Sequence, residues 1–376
     1  MKKILLFLLA LTPLAAFAQL SGSGYYRVQN DVTKRYISIV DTRAEVTSNG
    51  IDLRALHMLK PFEDSVAYNP ASICYVDLVS SSQCNLTGQG LNLHDQVGRY
   101  LNYIERSGGC YWLYGQINSS GVSVTKYLGD ESYEDFGPEY IVYHPNDDGA
   151  NRDWWVYPVT QEESQYFGVK PDVTASVDGS YWATMYAGFP FKPSAESTKI
   201  YYVSKVDYNF GVAVIKEITG DVPSETPVLF RCAGATPSQN KLTLLDPSTT
   251  NNIGTNYLIG NYYCNDVAES TGHRNVRPYS NSSMRMLGTT ADGKPAFVKS
   301  NIKYVPANKC YLAVSSKAPD ELLIMTEEEY VTGIEEINFN GNVTGNGKVY
   351  YDLQGRRVQA PGKGLYIVNG KKVVIK

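Results

Sequence analysis

The sequence predicts an all-β fold, and three observations carry that reading. Tyrosine is in large excess, 30 against 11 Phe and 4 Trp, and aromatic and β-branched residues suit the half-buried pleated surface of a sheet. Apolar residues alternate with polar ones in short runs, broken by 32 Gly and 18 Pro, the punctuation of strands and turns. Only 19% of residues are charged and the formal charge is −4, unlike the aromatic-poor, highly charged composition of a disordered chain.

The first eighteen residues are expected to stand apart from the fold. Met1-Lys2-Lys3 is a basic opening, Ile4 to Leu14 an apolar run and Ala16-Phe17-Ala18 a small-x-small cleavage signal, the three parts of a secretory signal peptide over 1–18. Export to the medium or the outer-membrane surface is therefore expected. No Cys directly follows the cleavage point, where Gln19 stands, which argues against a lipid anchor. The apolar run is too short to span a bilayer and no later stretch is long enough, so an integral membrane protein is not expected. The remaining 358 residues correspond to two or three domains of ~150 residues each.

Residues 19–160 read as one domain of three unequal units. Tyr26-Arg27-Val28-Gln29-Asn30 precedes Lys34-Arg35-Tyr36-Ile37, Ile73 to Leu78 precedes Arg99-Tyr100-Leu101, and Gly109 to Tyr114 precedes Lys126-Tyr127-Leu128. Each unit is an alternating strand followed by a basic-Tyr-aliphatic strand opening, and Asp153-Trp154-Trp155-Val156-Tyr157-Pro158 closes the set. Three strand-rich units sharing one core fit a β-trefoil. The opening Tyr26 to Ile37 resembles the first repeat of the ricin-type trefoils. The Gln-x-Trp motif of that family is absent, as is a sugar-contacting aspartate in each repeat, so the resemblance implies the fold and not the glycan site. Between the first two units, Leu53, Leu56 and Leu59 recur at three-residue steps before Pro61, and this spacing predicts a short amphipathic helix over 52–60 with His57 on its flank.

Residues 161–333 read as a β-sandwich or jelly-roll-like domain. Strands are expected at 180–186, 199–203, 212–216, 227–230, 284–288 and 294–298, the last two joined through Asp292-Gly293, a hairpin-turn dipeptide. Val222-Pro223 to Leu229 echoes Val305-Pro306 to Leu312, which suggests two half-sheets with similar edges. This stretch resembles a recurrent module of large exported proteins of Gram-negative gut and oral anaerobes, a likeness that bears on location and fold only. Thr326-Glu327-Glu328-Glu329 has the form of a capping box before a short helix that Gly333 ends.

Residues 334–376 form a third part. An Asn- and Gly-rich linker spans 338–347, one hairpin runs over 349–358 through Gln354-Gly355, and a second over 364–376 through Asn369-Gly370. Asp352-Leu353-Gln354-Gly355-Arg356-Arg357-Val358, Lys363-Gly364-Leu365-Tyr366-Ile367-Val368 and the terminal Val374-Ile375-Lys376 resemble the end of the C-terminal sorting domain of type IX secretion cargo, in a shortened form. The resemblance implies secretion machinery as a partner. Three edge strands docked on the sandwich are the alternative.

Charge and side-chain inventory narrow the function. From Lys348 onward seven basic residues stand against Asp352 alone, so the body is strongly acidic, and nucleic acid is excluded as a partner because phosphate binding needs a basic face. The six Cys divide three and three between the two larger regions and sit in apolar runs, which favours buried thiols over a disulfide framework. No CxxC, HExxH, G-x-S-x-G, Walker A or dinucleotide motif occurs, so no catalytic residue, cofactor or metal ligand is assigned. Two acceptor-rich loops, 129–135 and 146–153, stand out. Both contain hard oxygen ligands, but the second lacks the D-x-D-x-D-G register of a calcium loop. Trp154 and Trp155 are adjacent and must point to opposite faces of a strand, one inward and one available to stack on a sugar. The candidate ligand-binding set is Asp147, Asp148, Asp153 and Trp154.

These features predict a recognition protein for glycan or protein ligands at the cell surface, without catalysis. A secreted hydrolase, glycosidase or protease, with a site assembled in space is the first competitor, because 38 acidic residues supply carboxylate pairs anywhere. A protease inhibitor presenting a loop on a rigid trefoil barrel is the second.

Overall fold

The computed structural model describes residues 20–39, 45–47, 50–59, 64–92, 101–119, 122–130, 140–144, 152–162, 165–264, 276–331, 350–351, 356–358, 364–368 and 371–375. It is all-β, with 48% strand and 5% helix.

The first region contains β1 (Gly24–Asn30), β2 (Tyr36–Ile39), β3 (Glu45–Thr47), β4 (Gly50–Leu59), β5 (Cys74–Ser80), β6 (Gln83–Gly88), β7 (Leu91–Asn92), β8 (Leu101–Glu105), β9 (Tyr111–Ser119), β10 (Val122–Gly129), β11 (Tyr140–His144) and β12 (Asp153–Pro158). Strand β1 pairs with β12, β12 with β9, β9 with β8, β8 with β6, β6 with β5, and β5 with β1 again. The six antiparallel pairings return to their starting strand, so the sheet curls closed and leaves no edge among them. Alternate residues point inward: Tyr26 and Val28 on β1, Cys84 and Leu86 on β6, Tyr111 and Leu113 on β9, and Trp154 and Val156 on β12 share one buried cluster. The hairpins β2–β4 and β10–β11 join each other through β4 and β11.

Of the helix expected over 52–60, the described residues 52–59 form a strand. Strand β4 pairs with β2 on one side, Tyr36 opposite Leu59 and Ile39 opposite Leu56, and with β11 on the other. A nine-residue helix in isolation is marginal in water, whereas here β2 pairs with Leu56 to Leu59 and β11 with Asp52, Leu53 and His57. Tertiary pairing overrides the leucine spacing. One helical turn, Asp64–Ala67, follows Pro61 instead.

The second region contains β13 (Phe167–Gly168), β14 (Val173–Thr174), β15 (Tyr181–Met185), β16 (Phe191–Pro193), β17 (Lys199–Asp207), β18 (Val212–Glu217), β19 (Val228–Cys232), β20 (Lys241–Leu244), β21 (Leu258–Asn261), β22 (Met284–Thr289), β23 (Pro295–Val298), β24 (Lys309–Ala313) and β25 (Glu321–Thr326). Ten of them run in the order β14-β15-β19-β17-β18-β25-β23-β22-β24-β21. This order contains the same unit twice. Strands β15, β17, β18 and β19 lie as β15-β19-β17-β18, and β21, β22, β23 and β24 lie as β21-β24-β22-β23, the first strand beside the fourth, then the second and third. Strand β25 joins the units, parallel to β18 and antiparallel to β23. The echoed Val-Pro steps are the matching corners. Val222 and Val305 are both fully buried, and Glu225 and Asn308, three residues on, both have positive φ, 60° and 57°.

The strands of the first unit are buried on both faces. On β17, Ile200 and Tyr202 enter one core while Tyr201 and Val203 enter the other. A three-stranded sheet β13-β20-β16 covers the first core through Phe167, Leu242 and Phe191. The second unit covers the other through Leu258, Cys310 and Leu312. Three layers, rather than the two of a simple sandwich, explain the continuous apolar runs.

The two regions pack directly. Ile73 belongs to the first core of the second region and Tyr25 packs against Phe189 at 5.9 Å. Arg27, fully buried, donates to Ser72 Oγ, Val66 O, Gln165 O and Tyr166 O, tying β1 to the segment that enters the second region. A Cβ at Gly188 would lie 2.8 Å from the Gln89 backbone, so glycine is what lets the β6–β7 turn come this close. The C-terminal strands β26 (Tyr350–Tyr351), β27 (Arg357–Val358), β28 (Gly364–Val368) and β29 (Lys371–Ile375) form their own sheet, β27-β26-β28-β29. Among the described residues they pair with one another and with no strand of the larger sheets.

All six Cys are free thiols, five of them buried and Cys264 partly so. The capping box forms as read, with Glu329 Oε2 accepting from Thr326 N and Thr326 Oγ1 accepting from Glu329 N, at the start of a helical turn over 327–331. Among the described residues no helix is long and apolar enough to cross a membrane.

Candidate functional site

Asp147 and Asp148 lie outside the described residues. Trp154 is fully buried in the barrel core and its Nε1 donates to Leu128 O at 3.0 Å, so its ring offers no face to a ligand. Trp155, on the opposite face of β12, is half-buried and donates from Nε1 to Asp31 Oδ1 at 2.6 Å. Asp153 opens β12, and its Oδ1 accepts from Trp112 Nε1 at 2.6 Å and from the Cys110 thiol at 3.7 Å.

Around Asp153 the barrel end forms a closed polar set. The backbone N–H of Asp31 donates to Asp153 O at 2.8 Å, which places the two acids side by side. Hydrogen bonds from Lys34 and Trp155 hold the Asp31 carboxyl below the usual carboxylate range. The guanidinium groups of Arg106 and Arg152 sit 3.7 and 3.8 Å from the Trp112 ring centroid. Each indole N–H already has an acceptor, and the Trp112 ring is engaged by two cations. In the other acidic loop, Asp130 is buried and paired with Arg35 and Thr33. It holds β10 to the β1–β2 turn as part of the scaffold. No group of three or more His, Cys, Asp or Glu suited to a metal ion occurs among the described residues.

An open site lies elsewhere, beside the matching first strands of the two units. A cleft of about 470 Å³ is lined by Tyr186, Gly260, Asn261, Tyr262, Tyr263, Val276, Arg277 and Pro278, within the size range of ligand pockets. Tyr186 follows β15 and Tyr262 follows β21, and their rings stack with centroids 4.1 Å apart. A Cβ at Gly260 would lie 2.2 Å from the Tyr186 ring, so only glycine lets this ring lie on the β21 backbone. Tyr262 Oη donates to Ala187 O at 3.3 Å and Tyr263 Oη to Gln89 O. The barrel's β6–β7 turn thereby fixes the cleft wall. Asn261, nearly buried, donates to Tyr263 O, Val305 O and Pro306 O at 2.9–3.1 Å and anchors the second Val-Pro corner. Arg277 is exposed and reaches Tyr311 Oη at 3.3 Å.

Burial raises the Tyr186 phenol above its ordinary range and the Tyr262 phenol further still, with the nearby Glu225 adding to both shifts. They stay neutral hydroxyls at any physiological pH. The lining therefore supplies apolar ring faces, hydroxyl oxygens and one guanidinium. These are groups that hold a ligand by stacking and hydrogen bonds.

Sequence reading missed this cleft. Tyr186, Tyr262, Tyr263 and Arg277 are widely spaced and belong to no motif. The echo of the Val-Pro corners was the one signal that pointed to this neighbourhood. No protein-family model, no curated protein and no solved structure matches this chain.

Proposed function

We propose that this chain is an exported recognition protein that binds glycan through the tyrosine-lined cleft. The observation that carries the reading is the lining itself, in which Tyr186, Tyr262, Tyr263 and Arg277 share a space of about 470 Å³. Sugars present alternating apolar C–H faces and hydroxyl edges. Aromatic rings with a guanidinium donor complement both. The first region is a β-trefoil in this reading, supported by the closure of six strands with hairpins inserted between them. The second is a duplicated β-sandwich. The signal-like 1–18 segment and the sorting-like terminal hairpins support export to the cell surface or medium.

The test is a glycan-array screen with the mature full chain, followed by affinity measurement on its best hits. Arg277→Gln and Tyr262→Ala are each expected to weaken binding at least tenfold. Arg277→Gln, at an exposed position, is expected to leave the melting temperature unchanged. Unaltered affinity in both variants, or turnover of the bound glycan, would refute the reading.

A further inference from the structure

A second pocket lies across the β6–β7 turn from the cleft, at the seam of the two regions. It has a volume of about 200 Å³, and Tyr25, Tyr75, Thr87 and Gly90 of the barrel meet Phe189 and Pro247 of the second region around it. The volume exceeds that of a few waters and falls below the ~300 Å³ of drug-sized sites. It suits a single sugar ring.

Strand register builds one wall. Tyr25 on β1 stands opposite Tyr75 on β5, and Tyr75 stands opposite Thr87 on β6. Their neighbours Tyr26, Cys74, Val76 and Leu86 enter the barrel core, so the pleat sets all three on the outer face as one row. Each is half-buried. Within the described residues none of the three hydroxyls has a hydrogen-bond partner, and each keeps accessible surface. Three adjacent hydroxyls that the fold leaves unpaired at one pocket wall offer donors and acceptors to a ligand with several hydroxyls of its own.

The surrounding charge selects among such ligands. Burial raises the Tyr25 and Tyr75 phenols above their ordinary range, and the Asp246 carboxylate adds to both shifts, so both stay protonated donors. No Lys or Arg occurs among the described residues of the lining, so nothing there meets a carboxylate or phosphate. An ammonium ion is equally poorly served. Tyr25 packs edge-to-face with Tyr75 at 5.1 Å and with Phe189 at 5.9 Å, and rings in mutual contact do not enclose a cation.

One turn separates the pocket from the cleft. Gly90 lines the pocket, and a Cβ there would lie 3.9 Å from the Tyr262 ring. Gln89 O accepts from Tyr263 Oη, and Tyr262 and Tyr263 both line the cleft. Gly90 is exposed, so a ligand passing over the turn meets no side chain at that position.

We infer that this pocket is a subsite for one uncharged hexopyranose residue, and that the glycan reaches it from the cleft over Gly90. The ligand is thereby a neutral oligosaccharide with residues on both sides of the turn. The inference rests on the glycan-recognition reading and names its ligand class.

The test is calorimetry on the mature full chain. The probes are D-glucose, D-mannose and D-galactose with their linear oligosaccharides of two to six residues, and D-glucuronate and choline as charged probes. In at least one neutral series, affinity is expected to rise at least tenfold from the monosaccharide to the longest member, and to change little with salt, as for an uncharged ligand. Tyr75→Phe and Thr87→Val each remove one unpaired hydroxyl and keep the shape of the wall. Each is expected to weaken binding of the longest oligosaccharide about threefold, and the two together about tenfold. The melting temperature should not move, because no intramolecular hydrogen bond is lost. Affinity that grows with length in no series, growth that survives the combined variant, or tighter binding of glucuronate or choline than of every neutral sugar would overturn the inference. Array binding of a charged glycan that Arg277→Gln abolishes and the pocket variants leave intact would overturn it while the cleft reading stands. Loss of the length dependence in the pocket variants, with Arg277→Gln and Tyr262→Ala both silent, would keep the pocket and refute the cleft reading.

Discussion

Arg27→Met tests what holds the barrel to the second region. The guanidinium is fully buried and faces Ser72 Oγ at 3.2 Å, Gln165 O at 3.2 Å, Val66 O at 3.4 Å and Tyr166 O at 3.0 Å. Methionine fills much of the same volume but donates nothing. Val66 O keeps the Asn69 N–H and Gln165 O keeps the Thr160 N–H, so only part of the set loses its donor. One or two buried acceptors left short, at ~1–3 kcal/mol each, give an expected loss of about 2–4 kcal/mol. This is a large share of the ~5–15 kcal/mol that stabilises a typical domain. Urea unfolding followed by tryptophan fluorescence reads the barrel, because Trp154 lies in its core. At a slope of ~3 kcal/mol per molar, a 3 kcal/mol loss lowers the midpoint by about 1 M. Lysine at this position keeps a charge but not the planar fork that serves three segments at once, and is expected to recover less than half of the loss. Proteolysis within 160–166 should accelerate in the methionine variant, since Arg27 holds Gln165 and Tyr166. A midpoint shift below ~0.3 M, with unchanged proteolysis, would show that the junction is held by apolar contact alone and would refute the reasoning.

The remaining predictions concern thiols, tryptophans and the tail. Burial pushes the thiols of Cys74, Cys84, Cys232 and Cys310 up to about 12. The folded state therefore holds these protons more tightly than the unfolded chain does. Their contribution is complete below the unfolded thiol value of ~8.5 and is lost as pH rises toward 12, at ~1.4 kcal/mol per unit for each thiol. Stability measured by urea midpoint should fall steeply above about pH 9. A thiol reagent at neutral pH should label Cys264 first and all six only after unfolding. Trp154→Ala is expected to cost about 3–5 kcal/mol through the cavity it leaves, while Trp155→Phe, which loses one half-exposed hydrogen bond, should cost about 1 kcal/mol; equal midpoints for the two would contradict their placement. Deleting 348–376 is expected to leave the protein in the periplasm with its fold intact, and its appearance on the surface or in the medium would rule out a sorting role for the tail.

Much of this molecule is legible one segment at a time. Alternation and turn residues located β1, β5, β9, β12, β15, β17, β18 and the C-terminal hairpins, because a strand's two-residue period and the φ demands of its turns are written in neighbouring residues. Apolar context similarly indicated that the cysteines are buried thiols, and the Thr326–Glu329 capping box was readable because both partners lie within four residues. The helix expected over 52–60 failed for the complementary reason: the leucine spacing is local, while the pairing of β4 with β2 and β11 is not. No local pattern states that β18 runs parallel to β25, more than a hundred residues later, or that Tyr186 stacks on Tyr262. The sequence by itself determined an all-β chain, many of its strands and the two echoed Val-Pro steps. Only the tertiary structure decided which faces are covered, that Trp154 belongs to the core, and that Tyr262 and Arg277 line one cleft. Burial and convergence are properties of strands brought together across the chain, and backbone pairing brings them together without leaving a signature in either strand alone.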